Sequence, residues 1–308
     1  MLKKTMVVQS NSLVEARYRL TNLEQRLIFS LISKIRAEDD ALHEYDISLK
    51  ELSQLMGIDL ADAYKELVGI TKHLMSRVLS IRSAQGNLVH IHWLCRAEHK
   101  QGSVVLSFMP DLKPYLLQLK SEFTICDLAI ITGFGGKYTI RLYMLLRQYT
   151  SIGWRGFELK ELREILGIEK DEYREYKRFS QRVLAQAKKE MEAIDETGRN
   201  KCDLTFEVET IREGRKITRL KFIIIKNNMR YGKKSKAGNV GKSLQKIADS
   251  AIKPQPIARQ SNFPEYWDEF LKYIEKKDPG LLPIIASDGP ECMLVKAPYT
   301  AWKREFKQ

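Results

Sequence analysis

The residues best suited by type and spacing to do chemistry are three arginines, Arg174, Arg178 and Arg182. At intervals of four they would form a row along one side of a helix. A guanidinium there can present two parallel N–H donors to the O6 and N7 acceptors of guanine. Gln181 lies beside the row, with Lys170, Lys177, Lys188 and Lys189 around it. Ammonium groups suit phosphates, where they fix register without reading sequence. Plotted at about 100° per residue, residues 170–194 put Tyr176, Phe179, Val183, Ala187, Met191 and Ile194 on the opposite, apolar face. Glu172, Glu175 and Glu190 in the same stretch also suit an ordinary solvated helix face.

Three other groupings invite chemistry. His90-Ile91-His92 alternates so that both imidazoles share one face of a strand, the arrangement in which rolling-circle nickases hold a metal and use a tyrosine as nucleophile. Tyr173 with Lys177, and Tyr273 with Lys277, offer a tyrosine–lysine helix spacing of that kind. No further motif of the class surrounds them, and the plainer reading is a strand whose histidines face solvent or a subunit interface. Residues Thr132–Thr139, TGFGGKYT, fail as a phosphate loop, because Ile131 stands where a glycine is needed and Tyr138 where Ser or Thr is needed. Their glycines are expected to make a turn into the next helix. Cys95 and His99 have no second ligand pair, and lone cysteines in apolar sequence are expected in the core. No catalytic residue, metal or cofactor is assigned.

The elements that would position the arginines repeat along the chain. ISLKELSQLMGI (Ile47–Ile58) aligns with FELKELREILGI (Phe157–Ile168), sharing Leu49/Leu159, Lys50/Lys160, Glu51/Glu161, Leu52/Leu162, Gly57/Gly167 and Ile58/Ile168. Each copy reads as a short helix ending at its glycine, which can adopt the left-handed C-cap conformation. Ser48 and Glu51 form a capping-box pattern in the first copy. A longer amphipathic helix follows, over 62–78 in the first copy and 171–194 in the second. Then come two strands, LVHIHWLCR and SVVLSFM around Lys100–Gly102, and DLTFEVETI and ITRLKFIIIK around Glu213-Gly214-Arg215. A helix also precedes each copy. The first opens on the capping box Thr21-Asn22-Leu23-Glu24 and carries Leu23, Leu27, Ile28, Leu31, Ile32 and Ile35 on one side; the second is Tyr138–Gln148. Helix, short helix, turn, long helix and β-hairpin make a winged helix. The fold expected is α+β, with two tandem winged-helix domains and a C-terminal extension.

In a winged helix the second helix of the helix-turn-helix enters the major groove, with the hairpin beside it. The second copy is the stronger candidate for reading bases, and Arg212, Arg215, Lys216 and Arg219 sit near its hairpin tip. The corresponding helix of the first copy is thinner in charge, with Lys65, Glu66, Gly69, Lys72, His73 and Ser76.

Composition agrees with a polyanionic partner. The 308 residues carry 52 Lys and Arg against 39 Asp and Glu, a formal charge of +13, and the pI is about 9.4. That balance favours nucleic acid first and an acidic membrane surface second. At 44% hydrophobic the chain can bury cores, and its four scattered cysteines argue against a disulfide framework or a zinc finger. No apolar run approaches the roughly 18 residues of a membrane span, and the first residues have no apolar signal-peptide core, so a cytoplasmic protein is expected. Arg230–Lys253 holds seven basic residues and one acid, Asp249, in a setting rich in Gly and Ser. This stretch reads as a flexible basic linker. The domains expected are 1–125 and 126–229 for the winged helices, 230–258 for the linker and 259–308 for a small module. That module would open with an amphipathic helix from Asn262 and Pro264, carrying Tyr266, Trp267, Phe270 and Ile274.

Three segments carry a resemblance to a known family. VVQSNSLVEARYRLTNLEQRLIFSLISKI, the helix IRLYMLLRQY (Ile140–Tyr149) and YKRFSQRVLAQAKKEM (Tyr176–Met191) resemble the iteron-binding plasmid replication initiators, the Rep proteins with tandem winged helices. The likeness runs over about residues 7–226. It implies a protein that binds direct repeats in double-stranded DNA at a plasmid origin, then bends and opens that DNA. It further implies recruitment of the host initiator and the replicative helicase, and a monomer–dimer equilibrium in which the dimer represses its own gene. The first winged helix would carry the dimer surface and backbone contacts; Arg178 and Arg182, with Lys177 behind them, would carry base or phosphate contacts. A plain winged-helix transcriptional repressor is the neighbouring alternative. The resemblance assigns no role to residues 230–308.

Overall fold

In the computed structural model, which describes residues 5–57, 59–83 and 86–227, the sequence repeat becomes two copies of one topology. The expected linker and C-terminal module lie outside the described residues, as do Tyr273, Lys277 and Cys292.

Strand β1 (Met6–Ser10) leads into the short α1 (Asn11–Glu15), and α2 (Asn22–Ile32) follows. The capping box predicted for α2 is present: the Thr21 hydroxyl accepts from the Glu24 amide at 3.2 Å and the Glu24 carboxylate accepts from the Thr21 amide at 2.7 Å. The first copy then runs β2 (Glu44–Ser48), α3 (Leu49–Met56), α4 (Leu60–Ser76), a hairpin of β3 (Val78–Arg82) and β4 (Leu88–His92), then β5 (Leu94–Lys100) and β6 (Ser103–Phe108). A connecting stretch holds α5 (Lys113–Leu116), β7 (Phe123–Asp127), α6 (Leu128–Gly133) and α7 (Lys137–Arg147). The second copy is β8 (Trp154–Glu158), α8 (Leu159–Ile165), a long helix within 176–191, β9 (Leu204–Glu213) and β10 (Lys216–Lys226).

The two three-stranded sheets have matching order, β2-β6-β5 and β8-β10-β9. In both, the strand before the short helix pairs antiparallel with the second strand of the hairpin. The repeated letters follow from this. Leu52 and Leu162 are wholly buried, Ile47 and Phe157 point inward from the leading strands, and Gly57 and Gly167 end the short helix with φ of +72° and +68°. The identical Lys50 and Lys160 are exposed. Of the Ser48–Glu51 capping pattern only half forms: the Ser48 hydroxyl accepts from the Glu51 amide at 3.1 Å, while the Glu51 carboxylate turns to the Lys34 ammonium at 2.9 Å.

Three expectations are corrected. LVHIHWLCR is not one strand. The chain breaks at Trp93, so that 88–92 pairs with β3 in a separate two-stranded sheet and 94–100 pairs with β6. The reason is packing: the Trp93 indole is buried edge-on against Tyr18, with ring centres 5.0 Å apart. The first long helix spans 60–76 rather than 62–78, because Val78 already begins β3. Cys95 is exposed rather than in the core, whereas Cys126 and Cys202 are buried as expected.

The helix predicted from Tyr138 forms, but it is buried on every side rather than along one stripe. Ile140, Leu142, Tyr143, Met144, Leu145 and Leu146 have no exposed surface, because α7 packs against α1, α2 and β7 on one hand and α10 on the other. A helix covered all round is core.

Candidate nucleic-acid interface

The long helix of the second copy starts later than its sequence pattern indicates. It comprises α9 (Tyr176–Phe179), a π turn (Ser180–Leu184) and α10 (Ala185–Met191). Residues 169–175 form a turn with Tyr173 at φ +48°. Arg163 from α8 holds that turn, donating to the Tyr173 carbonyl at 2.8 Å and the Glu172 carbonyl at 2.5 Å. The Glu172 carboxylate accepts from the Glu169 amide at 3.1 Å and from the Tyr138 hydroxyl at 3.4 Å. Arg174 therefore stands off the helix, paired with Asp171. It does not extend the row of Arg178 and Arg182.

The π turn adds a residue to one turn of the helix and changes which side chains share a face. Val183 and Leu184 are buried in succession, joining Phe179, Ala187 and Met191 in the core stripe. Ile194, expected on that stripe, lies beyond the helix and is 59% exposed. The outer face presents Lys177, Arg178, Gln181, Arg182, Ala185, Gln186 and Lys189, all exposed. Among the described residues, no ion pair or side-chain hydrogen bond holds Lys177, Arg178, Gln181, Arg182 or Lys189. Their charge is available to an external anion at no cost of breaking an internal pair.

Lys188 differs from its neighbours. Its ammonium bonds to the Glu207 carboxylate of β9 and lies 3.7 Å from Glu192. The hydrogen bond to Glu207 pushes its pKa upward. Lys188, expected at phosphate, is thus engaged in anchoring α10 to the sheet. Gln186, which the sequence reading passed over, belongs to the exposed face. Its amide donates to the Glu190 carboxylate at 2.6 Å, and the other oxygen of Glu190 accepts from the Gly136 amide at 3.1 Å. The signal was available, since glutamine and glutamate four apart on a helix face can bond.

The hairpin beside the helix is long, ten residues in β9 and eleven in β10. Arg212, Arg215 and Lys216 cluster at its exposed tip, Lys216 pairing across the ladder with Glu213 and Ile217 with Arg212. Arg219 is set back, ion-paired to Glu158 at 2.5 Å. In the first copy Lys65 and Lys72 are exposed on α4, but so are Tyr64, Val68 and Met75. That face is mixed rather than cationic.

His90 and His92 do lie exposed on one face of β4, and the His90 Nδ1 is 2.9 Å from the Ser80 hydroxyl. Cys95 and His99 have separate partners: the Cys95 thiol donates to the Phe108 carbonyl at 3.3 Å, and His99 Nε2 lies 3.2 Å from the Thr71 hydroxyl. Among the described residues no group of three or more His, Cys, Asp or Glu converges on a common point. The glycines of 132–139 make the expected turn, with Gly136 at the N-cap of α7. No helix among the described residues is long and apolar enough to cross a membrane.

Two winged helices in series, the second with an unpaired cationic helix face and a basic hairpin tip, define a tandem winged-helix protein of the nucleic-acid-binding kind. Comparison with known families gives the particular one. Residues 6–147 match the domain described as Initiator Replication protein, WH1, and residues 158–224 match Initiator Rep protein, WH2. Together they span well over half of the chain, which belongs to this replication-initiator family. A replication initiation protein of Escherichia coli is 29% identical over 244 residues, covering 74% of this chain and 77% of that protein. The crystal structure of the Pi initiator protein in complex with iteron DNA is similar in fold, with a TM-score of 0.57 and 22% identity, over 74% of this chain and all of the other.

Proposed function

We propose that the protein initiates plasmid replication by binding direct repeats at its origin, the second winged helix reading bases and the first adding backbone contacts. The observation that carries this reading is the outer face of the 176–191 helix. Lys177, Arg178, Gln181, Arg182 and Lys189 stand there unpaired while the inner face is locked into the core. Arg178 and Arg182 are assigned to guanine edges, and Lys177, Arg212, Arg215 and Lys216 to phosphates. Lys65 and Lys72 are assigned to backbone contacts from the first copy. A solved relative described as bound to iteron DNA supports the choice of ligand.

Two reading units on one chain suit one monomer per repeat and head-to-tail arrays on tandem repeats. Binding energy spent on bending the duplex would open the origin, with the host initiator and replicative helicase recruited to it. A dimer of the same chain would repress the protein's own gene. The test is binding to an origin fragment of the protein's own plasmid against a scrambled control, at two salt concentrations with magnesium present. A ladder of discrete complexes equal in number to the direct repeats is expected. One complex on an inverted repeat without origin opening would instead fit a repressor. Magnesium-dependent nicking with protein left on one strand would overturn the non-enzymatic reading and bring His90 and His92 forward.

A further inference from the structure

Residues 15–19, Glu-Ala-Arg-Tyr-Arg, run from the last residue of α1 towards α2. Their backbone belongs to the first winged helix: the Arg17 amide donates to the Ser80 carbonyl and the Ser80 amide to the Arg17 carbonyl, both at 2.8 Å. Ser80 is the centre of β3, in the hairpin that the first copy has and the second lacks. The strap's side chains, in contrast, reach the second winged helix. Glu15 accepts from Arg155 of β8 at 2.8 Å, Arg17 pairs with Glu164 of α8 at 2.7 Å, and Arg19 pairs with Glu169 and, at 3.4 Å, with Glu172.

Between these pairs sits Arg141 of α7, 2% exposed. Its guanidinium donates to the Tyr18 hydroxyl, to the Ala16 carbonyl at 2.6 Å and to the Ile165 carbonyl at 3.0 Å, and lies 3.7 Å from the centre of the Tyr18 ring. It has no carboxylate partner among the described residues. Its terminal nitrogens are held only by fixed oxygens, and its Nε has no partner among the described residues. Little displacement of any of those oxygens is therefore tolerated, because losing one leaves further donors unpaired in a low-dielectric interior. Two of those oxygens, of Ala16 and Tyr18, belong to the strap and the third, of Ile165, to the C-terminal end of α8, the helix that precedes the 176–191 helix.

We propose that this strap is a ruler: by fixing the second winged helix against the β3–β4 hairpin of the first, it sets the base-pair spacing between the two DNA segments the protein contacts. Arg17, Arg19 and Arg141 are its positioning residues. The inference rests on the DNA-reading role proposed above and adds a specificity that no base contact provides. Rigid domains reading one duplex must meet segments at one separation and one helical phase. Two inserted base pairs lengthen the site by about 7 Å and rotate it by about 70°.

The test uses the full chain and an origin repeat whose two protected segments are mapped by hydroxyl-radical footprinting. Affinity is measured for the native repeat and for repeats with two base pairs inserted between those segments. The wild-type chain is expected to lose at least 30-fold, roughly, on insertion, a penalty the size of a base mismatch or more. Arg17→Glu with Arg19→Glu sets like charges against Glu164, Glu169 and Glu172. It is expected to weaken native-repeat binding and to shrink the insertion penalty to about threefold. Adding Glu164→Arg and Glu169→Arg restores both the net charge and the attraction, and is expected to restore the penalty. Arg141→Met is expected to loosen the penalty further wherever its melting curve shows a folded chain.

A structural role alone would lower affinity for native and inserted sites in the same proportion. The ruler is overturned if the charge-reversed variant keeps the wild-type penalty, or if the fourfold swap fails to regain it. It is overturned equally if the wild-type chain binds inserted and native repeats alike. Failure of the wild-type chain to footprint the repeat at all would take down the DNA-reading role itself, a different result from any of these.

Discussion

Gly167 faces the backbone of Tyr18 so closely that a Cβ on the glycine would stand 2.4 Å from the Tyr18 carbonyl oxygen. Its repeat partner Gly57 has the same left-handed conformation but nothing within 4 Å of the corresponding position. The two glycines end equivalent helices, yet only one is pressed against a neighbouring segment.

Alanine at the two positions should separate those roles. Gly57→Ala meets only the left-handed backbone and is expected to cost about 1 kcal/mol. Gly167→Ala carries the same strain plus the collision with Tyr18, so a loss of more than about 3 kcal/mol is expected, in the range of overpacking with strain. Denaturant midpoints of the two variants measure the difference, and equal losses would show that the Tyr18 contact gives way freely.

On the reading helix, Arg178→Ala and Arg182→Ala should each weaken the native repeat by about 1–3 kcal/mol and relax preference at one base pair. Lys177→Ala should weaken native and scrambled duplex to a similar extent, as a phosphate contact does. Competition binding with single-base variants of the repeat distinguishes the two. An Arg178→Ala variant that weakens both duplexes equally would remove that residue from base reading.

The hairpin tip should register in salt dependence. With phosphate contacts, log affinity falls linearly with log salt, and each lost contact lowers the slope by about 1. Replacing Arg215 and Lys216 by alanine should therefore reduce the slope by about 2 while leaving the preferred sequence unchanged. An unchanged slope would mean that the tip does not reach DNA.

Alkaline pH should unfold the chain. Burial pushes the Cys202 thiol from 9.0 up to about 12, and raises Cys126, Tyr18 and Tyr143 above their ordinary values. The neutral forms are retained in the fold, so the unfolded chain loses these protons first. Stability is then complete below about pH 9 and falls as pH rises from there towards 12. Thermal midpoints between pH 7 and 11 should decline above 9; a flat profile would contradict the burial of these groups.

How much was legible can be judged residue by residue. The repeat, the capping box at Thr21 and Glu24, the glycine C-caps and the β9–β10 hairpin followed from local pattern, because capping, left-handed turns and strand alternation are set by neighbours in sequence. The outer face of the second long helix was legible for Lys177, Arg178, Gln181 and Arg182 on the same ground. Arg174 was not, because its place depends on Arg163 bonding the carbonyls of Glu172 and Tyr173 and so delaying the helix. Lys188 was not, because Glu207 lies nineteen residues away on a strand. The break at Trp93 depends on the Tyr18 ring 75 residues earlier.

The sequence by itself determined the two winged helices and the cationic helix that the second presents, since both rest on periodicity and composition within short windows. Only the tertiary structure decided how the halves are joined. The burial of Arg141 among the oxygens of Ala16, Tyr18 and Ile165, and the ion pairs along residues 15–19, join groups more than a hundred residues apart for the most part. Such contacts leave no period in the chain, and it is folding that brings their partners within reach.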